Sequence, residues 1–348
     1  MEWHLTPIEA EKISIVIQGP LYRNLSPERG IFACIASIKK HFPTAEIIVS
    51  TWTHEDTSGI EADQIVVSED PGYFLDCSGN QFNSNRMLRS TLSGIQAATR
   101  PYVMKFRADH NMTSTSLAVI GEPEHFAPDE PKLFKTPITI TTLYIRNPIK
   151  VPMLFHISDL VQFGTREDML SFWNQPLFKE NEVFHSRPFR NPFGNFTGYS
   201  AAYKMAEQCL MLGAMRMHGI DVHLMHPCQV RISDLKLWES ILRINFRVIE
   251  YSEAGVDFPE RFLSTGFPLR TLYKASEIRQ LYRLSLIGYR LKIARIWINQ
   301  YVLNCFRSTW WVSLASIVLF STSPTLAKAI RSHWRKLRSV IHPDSGRM

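Results

Sequence analysis

Four short β-branched runs, interleaved with helical segments, occupy the first 107 residues and constrain the fold more than any other feature of this chain. Ile13-Ser-Ile-Val-Ile-Gln18, Glu46 to Ser50, Gln64 to Ser68 and Tyr102 to Phe106 read as strands. Between the first and second, Glu28 to His41 sets Ile31, Cys34, Ile35 and Ile38 on one helical face, and Ser84 to Ala98 is helical between the third and fourth. Strands that are apolar on both faces and joined by helical crossovers require a mostly parallel sheet covered on both sides, an α/β architecture.

Beyond Asp109 the pattern changes. Pro and polar clusters fill Gly121 to Pro131, and β-rich stretches follow at Lys132 to Thr142 and near Leu160 to Phe163. Thr165-Arg-Glu-Asp168 has capping-box spacing and opens a helix to about Trp173. Residues 174–196, interrupted by Pro176, Pro188 and Pro192, read as a loop suited to an acceptor, and Thr197 to His218 reads as a helix stopped by Gly219. The remainder is basic and apolar: Ile278 to Phe306, Trp310 to Phe320 and Lys328 to Arg338. The Trp310–Phe320 run is about half of the roughly 20 residues that a spanning helix needs, so surface association with a bilayer is expected rather than a crossing. The expected organisation is an α/β domain over 1–255 and a basic, apolar helical region over 256–348.

Charge follows that division. The whole chain carries +7, yet residues 278–348 hold 12 Lys/Arg and one acid, Asp344, leaving 27 basic and 31 acidic side chains in the first 277. A one-sign block points to a polyanionic partner. With no zinc, helix-turn-helix or RNP pattern beside it, an anionic membrane surface is the expected partner and nucleic acid is not. The five cysteines, Cys34, Cys77, Cys209, Cys228 and Cys305, have no CxxC or Cys/His spacing. The N-terminus lacks a basic then apolar leader, so the expected location is the cytoplasm, peripheral on the inner face of the cytoplasmic membrane.

In an open parallel sheet, ligands bind beyond the carboxyl ends of the strands. Gln18-Gly19-Pro20, Thr51-Trp52, Asp70 and Arg107-Ala-Asp109 follow the four strands and should share one edge. Gly19 allows close backbone approach, Trp52 can cover a base, and Arg107, two residues before Asp109, shares its side of the strand. Asn83, Asn85 and Arg86 open the helix after the third strand, where exposed amides favour an anion; one Asn suffices for a cap. Asp109 is the candidate ligand of a divalent cation, Mg or Mn, offsetting the charge of a departing diphosphate, or else a cap for the following segment. For acid–base work the candidates are Asp159, in His156-Ile-Ser-Asp159, and Glu207, each also readable as a surface or capping carboxylate; His156 is a polar neighbour of the same site.

The ordered strings Ile15-Val-Ile-Gln18-Gly-Pro-Leu21, His41-Phe-Pro43, Ala45 to Trp52, Asp70-Pro-Gly72, Asn83-x-Asn85-Arg86, Lys105-Phe-Arg107-Ala-Asp109, Tyr144-Ile-Arg146-Asn-Pro148, Phe155-His-x-Ser-Asp159 and Phe163-Gly164 resemble the WavE family of lipopolysaccharide synthesis proteins over Ile13 to Trp173. The resemblance implies a GT-A-like, Rossmann-like nucleotide-diphosphosugar transferase fold. It further implies sugar transfer from a nucleotide-sugar to a lipopolysaccharide core or other surface polysaccharide, carried as a lipid-linked glycan acceptor. Arg107 stands where many GT-A enzymes carry the first carboxylate of Asp-x-Asp. The alternatives are a sugar nucleotidyltransferase, for which Gln18-Gly-Pro-Leu-Tyr-Arg23 is a poor phosphate loop, and a non-catalytic membrane-associated scaffold.

Overall fold

A computed structural model describes residues 3–75, 81–123, 130–184, 202–263, 269–306 and 308–341. Cys77, much of the expected 174–196 loop and the start of the expected Thr197 helix lie outside the described residues. Seven strands form the central sheet: β1 (Ile13–Gln18), β2 (Glu46–Trp52), β3 (Gln64–Ser68), β4 (Tyr102–Arg107), β5 (Ile138–Thr141), β6 (Gln162–Thr165) and β7 (Phe246–Ile249). Their order is β3-β2-β1-β4-β6-β5-β7. All pairings are parallel except those of β6, which runs against both β4 and β5. The sheet is therefore mixed, with six strands in one direction and a single reversed strand in the middle.

Helices cover both faces, α1 (Ile31–His41) on one and α2 (Ser84–Ala97), α3 (Arg166–Trp173), α4 (Ala206–Met217) and α5 (Ile232–Asn245) on the other; α6 (Leu286–Trp297) packs on α5, and α7 (Ser308–Thr322) and α8 (Pro324–Ile341) follow it. Side-chain alternation along β1 sorts residues into two cores. Ile13, Ile15 and Ile17 pack with Ile31, Cys34, Ile35 and Ile38 of α1, whereas Val16 joins Leu88 and Ile95 of α2 on the other face. Each such buried aliphatic side chain contributes about 1.5–3 kcal/mol. Helix α2 rides unusually close to the sheet, because a Cβ on Gly94 would lie 2.2 Å from Cγ1 of Val16. The Thr165 hydroxyl caps α3 by accepting from the Asp168 amide at 3.1 Å, as its spacing predicts. Gly219, at φ 77°, ends the α4 segment.

Strand β5 is shorter than the predicted β-rich stretch, because Leu133 to Thr136 are drawn off the sheet by side chains. The Asn245 carboxamide accepts from the Leu133 amide at 2.6 Å, and the Asp168 carboxylate from the Lys135 and Thr136 amides at 2.8 and 3.1 Å. No break in packing occurs at 255/256. Val256–Asp257 pairs with Asn111–Met112, Leu272 bridges Arg146, and the Tyr273 amide donates to Ile145 O at 2.9 Å, so the body extends to about residue 279.

Candidate functional site

The chain runs outward from β1 through β2 to β3, then returns to lay β4 on the opposite side of β1. The carboxyl ends of β1 and β4 thus diverge at a switch point, the place where an open sheet leaves a crevice. Reversed β6 begins at that same edge, since Gln162 pairs with Lys105 near the end of β4. The segment before β6, carrying His156 and Asp159, is brought there for this reason. A cleft of about 410 Å³ occupies the edge, lined among others by Gln18, Gly19, Pro20, Trp52, Asp70, Asn83, Arg86, Arg107, Asp159 and Glu207.

One wall is built by the turns after the strands. Gln18 is held by its Oε1, which accepts from the Ser90 hydroxyl of α2 at 2.6 Å. Gly19 takes φ 93°, a left-handed value natural only to glycine, and its carbonyl accepts from the Thr51 hydroxyl at 2.9 Å. Asp70 grips Arg86 with both oxygens, at 2.8 Å from Nε and 2.5 Å from Nη2, which holds the Asp70 carboxyl below the usual carboxylate range. Asn83 makes no side-chain cap for α2 and lines the cleft. Asn85, expected at the ligand, points the other way: its amide donates to Phe178 O at 3.0 Å and its carbonyl accepts from the Phe178 amide at 2.8 Å. It ties α2 to a neighbouring segment, which is the structural reason for the second asparagine.

Asp109 departs from its expected place. It is fully buried and is not among the cleft-lining residues. Arg107 donates to it at 3.0 Å from Nε and 3.2 Å from Nη2, the His110 ring faces it through Nδ1 at 2.7 Å, and Arg261 pairs with its Oδ2. Burial would raise its pKa, but the Arg107 charge and the His110 hydrogen bond outweigh this and hold it well below the usual carboxylate range. Burial takes His110 down to about 4, leaving a neutral imidazole. The divalent cation expected on Asp109 does not fit, because a carboxylate already saturated by two guanidinium groups and an imidazole has no free oxygen edge. Among the described residues no group of three His, Cys, Asp or Glu side chains is placed to hold a metal ion. Asp109 orients arginines instead.

Across the cleft stand Asp159 and Glu207. Lys105, fully buried on β4, donates to Asp159 O and lies 3.5 Å from Asp159 Oδ2; burial lowers its pKa to about 8 despite that carboxylate. Glu207 Oε2 is 3.3 Å from His156 Nε2. The other ring nitrogen of His156, Nδ1, is 2.8 Å from Tyr144 O, which can only accept, so Nδ1 carries a hydrogen. Nε2 can then approach a carboxylate only if a second proton lies between them. Burial pushes Glu207 up, but the charge interaction and hydrogen bond with His156 bring it below its ordinary value. His156, the expected polar neighbour, does not line the cleft and stands behind Glu207.

Several lining residues escape prediction: Tyr22, His54, Glu55, Tyr144 and Phe262. Tyr22 and Tyr144 take φ of 51° and 76°, and non-glycine residues forced into this region concentrate at functional sites. Burial, then the carboxylates of Glu207 and Asp159, push the Tyr144 phenol up, keeping it a neutral donor. Tyr144 belongs to the noted Tyr144–Pro148 string. Arg261 and Phe262 carry no comparable sequence signal, lying beyond 255 in an ordinary apolar stretch.

A search of curated proteins returns no match. Seventy chains of known structure match. One is a substituted Drosophila β-1,4-galactosyltransferase 7 in complex with manganese, UDP-Gal and xylobiose, 9% identical, covering 78% of this chain and 81% of that one with a TM-score of 0.26. So loose a superposition assigns neither activity nor ligand. A model described as WavE lipopolysaccharide synthesis matches residues 13–334, extending the likeness well past Trp173 into the basic tail. The chain belongs to the WavE lipopolysaccharide synthesis family.

Proposed function

We propose that this WavE-family chain is a glycosyltransferase that moves a sugar from a nucleoside-diphosphate donor to a hydroxyl of a lipopolysaccharide core or related surface polysaccharide. The observation that carries the reading is one cleft with arginines on the strand-end wall and two carboxylates on the other, Asp159 beside Lys105 and Glu207 beside His156. The strand order with its one reversed member supports a GT-A-like fold. Arg86 and Arg107 each use the Nε–Nη2 edge on a carboxylate, which fixes the guanidinium plane; Arg107 keeps Nη1 for the donor diphosphate, while Arg86 Nη1 also donates to Asn83 Oδ1 at 3.4 Å. Fixed cations meet the negative charge that grows on the leaving diphosphate. The turn Gln18 to Pro20 and Trp52 hold the nucleoside.

Glu207 is the better-reached carboxylate, with a side chain 22% exposed against 7% for Asp159. It accepts the acceptor hydroxyl proton as the new bond to the anomeric carbon forms and the bond to the diphosphate breaks. Asp159, anchored by Lys105, shapes the wall beside it. The acceptor is a glycan on a lipid at the inner face of the cytoplasmic membrane.

Titration calorimetry with UDP- and GDP-sugars and with NTPs, paired with a transfer assay on purified core glycolipid, tests this. Glu207→Gln should keep donor affinity and lose at least ~100-fold in turnover. Unchanged turnover refutes the assignment of the base. Pyrophosphate release from NTP and sugar phosphate would replace the reading by nucleotidyl transfer, and absence of nucleotide binding by a scaffold.

A further inference from the structure

Helix α6 is apolar on two opposite faces, and the body covers only one of them. Tyr289, Ile296 and Gln300 recur at i, i+7 and i+11 and are buried. Around them Lys292 pairs with Glu239 of α5, and Gln300 Nε2 donates to Lys150 O at 2.9 Å. The opposite stripe, Ile287, Leu291, Ala294 and Ile298, follows the same i, i+4, i+7, i+11 spacing, with Ile287 68% and Leu291 66% exposed. Exposed Arg290 and Arg295 border it on either side, and Trp297 is 53% exposed at its end. Farther along, Phe306, Trp311, Val312, Ile330 and Trp334 are also exposed. Not one Asp or Glu occurs between Ile278 and Ile341.

We infer that this stripe of α6, with the exposed aromatic and aliphatic side chains of α7 and α8, is a docking face for an anionic lipid bilayer, lying in the interface and not crossing it. Three observations select this occupant. Cations flank the apolar stripe on both sides, the arrangement in which long basic side chains reach phosphates while the stripe enters the acyl boundary. Tryptophans at Trp297, Trp311 and Trp334 have the amphipathic character that settles at headgroup level. No single described helix is long and apolar enough to cross a membrane, but the pair Leu286–Phe306 and Trp310–Thr322, bent by 92°, is together apolar enough to enter one. A second copy is disfavoured, because pairing the face with itself would set Arg290 and Arg295 against their own like charges.

This deepens the reading of a lipid-borne acceptor, yet it stands without sugar transfer, since vesicle binding is measured with no donor present. Co-sedimentation of the full chain with phosphatidylcholine vesicles, with and without 30 mol% phosphatidylglycerol (roughly the anionic content that gives a strong surface potential), reads it directly. The parent should partition to anionic vesicles at least tenfold better than to neutral ones, with affinity falling as salt rises. Ile287→Glu/Leu291→Glu should lose at least tenfold on anionic vesicles while keeping the parent's melting temperature and donor affinity. Arg290→Gln/Arg295→Gln should lose salt sensitivity and keep residual apolar binding. Equal partitioning of the parent and Ile287→Glu/Leu291→Glu overturns the proposal. So does a parent that ignores anionic vesicles, whether it stays monomeric, self-associates through this face, or binds only an acidic protein.

Discussion

Replacing Asp109 by Asn removes one charge and almost no volume, and the structure makes the consequence large. The carboxylate is the common partner of Arg107, Arg261 and His110, and is itself fully buried. Breaking a buried pair costs about 3–5 kcal/mol, since the surviving charge is left without a partner. Arg107 and Arg261 retain 18% and 31% exposure, so solvent offsets part of this and about 2–4 kcal/mol is expected. For a chain of this size that is a fall in melting temperature of roughly 3–6 °C. Asp109→Asn/Arg107→Met should recover part of the loss, because it removes the stranded cation too. The same carboxyl is depressed in the folded state, so its contribution is present above the ordinary carboxylate pKa of about 3.9 and disappears as pH falls below it. The parent should therefore lose stability more steeply than Asp109→Asn below about pH 4. Thermal unfolding by circular dichroism across pH measures all three quantities. A midpoint for Asp109→Asn within about 1 °C of the parent at pH 7, or strictly additive single and double substitutions, would refute the idea that this carboxylate organises the arginines.

Three further outcomes follow from the geometry. Gly94→Val should destabilise by at least about 1–3 kcal/mol, because the added Cβ meets Val16 at 2.2 Å across the α2–β1 contact; urea unfolding checks it, and a neutral result would mean the helix can retreat freely. Lys105 has a folded pKa of about 8 against an ordinary 10.5, so between these values the unfolded chain binds the extra proton and stability rises with pH, by at most about 1.4 kcal/mol per unit. Lys105→Met should flatten that slope in unfolding titrations from pH 8 to 10. His156→Gln removes the imidazole whose interaction offsets burial of Glu207, so the acid limb of the transfer–pH profile should move upward with donor affinity intact; an unmoved limb would show that His156 does not set the state of Glu207.

How much of the site was legible depends on how locally each residue is determined. Gln18 to Pro20, Trp52, Asp70, Asn83, Arg86 and Arg107 line one cleft as expected, because each follows a strand or opens a helix, and parallel strands must deliver their ends to a common edge. Asp159 and Glu207 also reach the cleft, although nothing local says so: Asp159 arrives because β6 is reversed, and the direction of a strand as short as Gln162-Phe-Gly-Thr165 leaves no mark in its sequence. Asn83 and Asn85 look equivalent on paper and face opposite ways, since two residues turn a helix through about 200°, from cleft to interior.

The residues by themselves determined the alternation of strand and helix, the two apolar faces of the sheet, the cap at Thr165 and the concentration of positive charge after Ile278, because these rest on periodicity, local hydrogen bonding and composition. Tertiary structure alone decided that Arg261, 152 positions away, closes over Asp109, that His156 backs Glu207, and that α6 shows one apolar face to the body and the other to solvent. The physical reason is the same in each case. Charge pairing and burial depend on which distant side chains close around a group, and no local pattern encodes that neighbourhood.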